Sequence, residues 1–163
     1  MTIKALITLA LIGGAQGFPS WLKCFVDLDE TENIMGSQVK TFDDAPHKVY
    51  IEVQEEGSDE WHEHYSFTSG KETTLQLRLK VPDDLKGEVQ WAAETSVGGS
   101  FLKPTLCDGR RSFSRNYDSP VSVKLNGEAD SVTIWAGWAT GHSPVSMTEK
   151  LILSAAAEGE SEL

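Results

Sequence analysis

The chain has 163 residues, 39% of them hydrophobic and 24% charged, with a formal net charge of −11. These values fit one soluble globular domain large enough for its own core. The acidity supplies no basic footprint for nucleic acid and disfavours an anionic membrane surface.

Residues 1–17 hold one charge, Lys4, then an apolar run over 5–12 and the small-residue stretch Gly13-Gly14-Ala15-Gln16-Gly17. This is the layout of a secretory signal peptide, cleaved after Gly17 to leave Phe18 as the mature terminus. The apolar run is far below the ~20 residues that span a bilayer, so no stable membrane span is expected. A domain over residues 18–154 and a small, acidic tail over 155–163 complete the chain. The expected location is extracellular. The alternative is the lumen of the secretory pathway or of a plastid, since Glu160-Ser161-Glu162-Leu163 distantly echoes a retention signal. Cys24 and Cys107 both lie beyond the cleavage site. In an oxidising compartment such a pair reads as a disulfide, with two free buried thiols as the other reading.

Period-2 alternation dominates the mature chain. Val49, Ile51 and Val53 mark a first strand. Residues 61–67 read as a second, with Trp61, Tyr65 and Phe67 on the core face and His62 and His64 opposite. Leu75, Leu77, Leu79 and Val81 form the cleanest set. Val89, Trp91 and Ala93 come next, then Val121, Val123 and Leu125, then Val132, Ile134, Ala136 and Trp138. Val145, Met147, Leu151 and Leu153 line one face of a last strand. Asn126-Gly127 reads as a slightly long hairpin turn. No helical period persists over ten residues. The fold class these runs predict is all-β, an antiparallel β-sandwich.

Chemistry-bearing residues are few. His62 and His64, two apart on a strand, lie roughly 7 Å from each other. With His142 or His47 as a third ligand they could share copper or zinc; the other reading is a solvent-facing pair. Cleavage after Gly17, giving a Phe18-Pro19 start, argues against a copper enzyme that ligates metal through an N-terminal histidine; only cleavage at a quite different place would restore it. Asp27, Asp29, Glu30 and Glu32 lack EF-hand spacing and read as turn and surface carboxylates. Gly141-His142-Ser143-Pro144 reads as a turn, with no nucleophile elbow and no catalytic set. Trp91 and Trp138 fall on core faces. Trp135 falls opposite Trp138 and is the candidate surface aromatic for stacking on sugar. Arg110, Arg111 and Arg115 could dock an anion such as a sulfated glycan, or simply balance local acid.

The stretches Phe18-Pro19, Cys24, Val97-Gly98-Gly99-Ser100-Phe101, Cys107, and Ile134-Trp135 through Gly141 to Leu153 follow one another along the mature chain. In this order of features the chain resembles the reeler domain, an extracellular immunoglobulin-like β-sandwich, and the resemblance implies an immunoglobulin-like antiparallel β-sandwich here. The chain departs from that pattern in lacking a Pro-Gly turn before the second strand block and a Cys-x-x-Met-x-Pro start. The resemblance implies a Cys24–Cys107 bridge and a binding or adhesion role without catalysis. The expected function is a secreted, non-catalytic recognition module for protein, glycan or matrix, with a metal-binding secreted protein as the alternative.

Overall fold

The computed structural model describes residues 23–34, 37–141 and 144–156. The expected signal segment, Phe18-Pro19, His142 and all but the first two residues of the expected tail lie outside these.

Among the described residues the chain forms twelve strands. They are β1 (Asn33–Ile34), β2 (Ser37–Gln38), β3 (Tyr50–Glu55), β4 (Ser66–Thr68), β5 (Thr73–Lys80) and β6 (Val89–Thr95). The rest are β7 (Gly99–Phe101), β8 (Arg111–Ser114), β9 (Val121–Leu125), β10 (Ser131–Thr140), β11 (Ser146–Met147) and β12 (Leu151–Ala156). A single 3-10 turn, Asp83–Leu85, is the only helical element among the described residues. The strands β4-β12-β10-β6-β8 make one sheet, with β11 also on β10, and β3-β5-β9-β7 make another. Their ladders are antiparallel, apart from the parallel β4–β12 pair.

The alternation in the sequence decides which side chains meet. Ile51 and Val53 of β3, Leu75, Leu77 and Leu79 of β5, and Val121, Val123 and Leu125 of β9 point to one side. They join Val89, Trp91 and Ala93 of β6, Ile134, Ala136 and Trp138 of β10, and Leu151 and Leu153 of β12 in one core. Each fully buried aliphatic side chain contributes about 1.5–3 kcal/mol. The six-stranded sheet is also covered on its outer face. There Leu28, Ile34 and Val39 pack on Ala92, Ala139, Phe113, Trp135, Val145 and Met147.

Three expected strand features differ in the structure. Asn126-Gly127 does not close a hairpin, because β9 and β10 belong to different sheets. The turn serves a close approach instead. Gly127 has φ +75°, and its carbonyl accepts the amide of Gly70 at 2.9 Å. A Cβ on Gly127 would stand 2.6 Å from the Lys71 carbonyl oxygen. Gly127→Ala is therefore expected to lower stability by about 2 kcal/mol or more, measured as a shift of the urea midpoint.

The last strand is two. Gly137 faces Met147 while Ile134 faces Leu151, so three steps along β10 match four along its partner. This is the register of a β-bulge, and it reverses which face the later side chains occupy. Val145 and Met147 consequently lie in the outer cluster and Leu151 and Leu153 in the core. Thr148 bridges the step: its hydroxyl accepts the Ala136 amide at 3.0 Å. Strand β12 then runs on to Ala156, two residues into the expected tail.

Residues 61–67 are not one strand. His62 bridges Val53 on the four-stranded sheet, with N–H to carbonyl distances of 2.8 Å each way. Ser66–Thr68 pairs with β12 on the other sheet. The chain crosses between sheets over residues 63–65, which is why alternation there does not carry through.

Candidate functional site

The outer face of the six-stranded sheet gathers the chemistry. Trp135 of β10 lies opposite Glu94 of β6, which lies opposite Arg111 of β8. The three form one cross-strand row, where side chains on the same face meet. Glu94 is 0% exposed and Arg111 1%. Buried charges of this kind need complete pairing. The Glu94 carboxylate accepts the Leu28 amide at 2.7 Å, the Trp135 indole N–H at 3.1 Å and an Arg111 N–H at 3.3 Å. Arg110 also donates to it, through Nε at 3.2 Å.

The arginines reach the N-terminal segment as well. Arg111 donates to the Val26 carbonyl at 2.5 Å and to the Lys23 carbonyl, and Arg110 to Asp27. Hydrogen bonds to Glu94 first, and then to Asp27, raise the Arg110 pKa further above its usual high value. A disulfide joins Cys24 to Cys107, 83 residues apart, with the Cα atoms 5.1 Å from each other. Residues 23–28 are thus fastened twice, by a covalent bridge and by a buried ion-pair latch.

The three arginines of the basic cluster therefore have different positions. Arg110 and Arg111 hold the N-terminal segment, while Arg115 is exposed just past β8. Of the acidic stretch, Asp27 meets Arg110 and Asp29 meets Lys150 at 2.8 Å.

Docking of the N-terminal segment shapes a cavity of about 290 Å³ beside Trp135. Phe42 and Trp135 supply aromatic surface, and Asp29, Asp43 and Glu149 supply carboxylates. Lys150 also lines it, with its ammonium 5.6 Å from the Trp135 ring centroid. The bulge over Thr148 to Lys150 sets Glu149 and Lys150 at this rim. Trp135 is half-buried, with its indole N–H held by Glu94, so the ring is fixed in place.

The histidines occupy different settings. His62 lies on the β3 edge, with Nε2 3.8 Å from Glu60. His64 is exposed and lines a second cavity of about 290 Å³ between β3 and β12, with Glu63 and Glu149. There the Lys80 ammonium, by hydrogen bond and by charge, holds the Glu63 carboxyl below its ordinary range. Among the described residues, no three His, Cys, Asp or Glu side chains come close enough to hold a metal ion. His142 lies outside the described residues.

The residue that sequence reasoning missed is Glu94. Its signal was present: a lone carboxylate in the strand Ala92-Ala93-Glu94, where small residues permit cover on both faces. No protein-family model matches the chain, and no curated protein matches it.

Proposed function

We propose that this chain is a secreted, non-catalytic recognition module of immunoglobulin-like sandwich type, and that its Trp135 cavity takes a neutral glycan. The single observation that carries the reading is the fixed Trp135 ring bordered by Asp29, Asp43 and Glu149. A pyranose presents C–H groups to an aromatic surface and hydroxyl donors to carboxylates, so it meets both kinds of wall. Three carboxylates against the single Lys150 disfavour sulfated or otherwise anionic sugars. The volume lies near the ~300 Å³ lower end of small-ligand cavities, which suits one or two rings.

The two sheets around one core, and the bridge from Cys24 to the middle of the domain, support the sandwich class. The disulfide also supports an oxidising compartment. No helix among the described residues is long and apolar enough to cross a membrane.

A glycan array followed by calorimetry tests the reading. Neutral oligosaccharides are expected to bind, with Trp135→Ala weakening the best of them by about tenfold or more. Glu149→Gln leaves the Glu94 latch intact and is expected to weaken binding by about threefold to tenfold. An array without neutral-sugar hits, or hits indifferent to both substitutions, would remove the proposal.

A further inference from the structure

A different cavity, of about 330 Å³, opens at one end of the core, where the chain before β3, the Asp83–Leu85 turn and the segment leading into β11 converge. It does not include Trp135 and stands apart from the glycan reading. Its apolar walls are Leu85, Pro46, Pro144 and Trp138, and its polar lining includes Lys40 and His47. Small-molecule cavities begin at about 300 Å³ and are mostly apolar with a few polar groups, which this one matches in size and in lining.

Two groups there have unspent binding capacity. Trp138 is 3% exposed, and its buried indole N–H has no acceptor among the described residues. A buried donor without an acceptor is a standing cost that a ligand oxygen relieves. The neighbouring indoles of the same sheet are matched: Trp91 donates to the Asn116 carbonyl at 2.9 Å and Trp135 to Glu94. The second group is Lys40. Its main chain is pinned beside β11 by hydrogen bonds to Val145 at 2.8 Å and from Met147 at 2.9 Å. Its ammonium has no ion pair among the described residues, whereas those of Lys80, Lys86, Lys124 and Lys150 each have one.

We infer that this cavity binds a small organic carboxylate with an apolar body, the carboxylate meeting the Trp138 indole N–H and the Lys40 ammonium. One carboxylate has two oxygens, so it can accept from both donors at once, and hydrogen bonds with an ionised acceptor are the stronger kind. The body lies against Leu85 and the two prolines. Asp44 is the opposing charge at the rim. Its carboxylate accepts the Thr41 hydroxyl at 2.8 Å, which engages it within its own turn. His47, 3.9 Å from Asp84, adds positive charge when protonated.

The test uses benzoate and 4-phenylbutyrate as probes, with benzamide as the uncharged control, titrated into the oxidised protein. The indole N–H resonance of Trp138, identified by its loss in Trp138→Phe, reports directly on the proposed bond. Addition of either carboxylate is expected to move that resonance downfield and saturably, with benzamide binding at least about tenfold more weakly. Lys40→Met, a change that leaves the core untouched, is expected to weaken the carboxylates by about tenfold and to leave benzamide unaltered. Trp138→Phe keeps an aromatic ring in the core and is expected to weaken the carboxylates by about threefold to tenfold. A Trp138 resonance that no probe moves overturns the proposal. So do carboxylates that bind no better than benzamide, or affinity that Lys40→Met leaves unchanged.

Discussion

Glu94→Ala is expected to destabilise the protein by about 3–5 kcal/mol, the range for removing one partner of a buried ion pair. The substitution leaves Arg111, 1% exposed, with carbonyls in place of its counter-charge. It also removes the acceptor of the Leu28 amide and of the Trp135 indole. Urea unfolding measures the total, and hydrogen exchange separates its parts. The Leu28 amide is expected to lose protection even under conditions where β5 and β9 stay folded, because the latch holds the N-terminal segment and not the core. Glu94→Gln keeps one acceptor oxygen and is expected to cost less. A Glu94→Ala protein within about 0.5 kcal/mol of the parent would mean the buried pair contributes nothing net.

Replacing both cysteines by serine is expected to cost about 4–5 kcal/mol, the chain-entropy value for a closed loop of this length. The bridge spans 83 residues. Its loss also loosens the segment that carries Leu28, Ile34 and Val39 over the outer face. Apolar-dye binding is expected to rise as Ala92, Ala139 and Trp135 lose their cover. The two substitutions are not independent, since the bridge and the latch fasten the same short segment. Combining them is expected to cost less than the sum of the separate losses, with a coupling above about 0.5 kcal/mol. Strict additivity would show that the two fastenings act separately.

How far the sequence carries is visible in particular residues. The alternating runs of β5, β9 and β10 are readable because one face of each is core, and burial imposes a period of two. The core placement of Trp91 and Trp138 follows from the same rule. Sheet membership is not readable. Asn126-Gly127 has hairpin chemistry, yet the flanking strands part to different sheets and Gly127 is needed for its approach to Lys71. The bulge before Leu151 is hidden because one inserted residue leaves composition unchanged while reversing the faces. At the candidate site, alternation alone sets Trp135 opposite Trp138. The cavity beside it is not legible, since Asp29, Asp43 and Glu149 come from segments far apart in the chain. Arg110 and Arg111 look like Arg115 in sequence, and only the folded N-terminal segment distinguishes them.

The Cys24–Cys107 bridge has a further effect on how the molecule survives damage. Every residue from 55 to 60 is exposed, and this stretch lies inside the span the bridge closes. A protease that cuts there severs the backbone without releasing a fragment. Both halves stay tied through sulfur, and each keeps strands that complete the other's sheets. For this chain, being cut and falling apart are separate events, and only a reductant converts the first into the second.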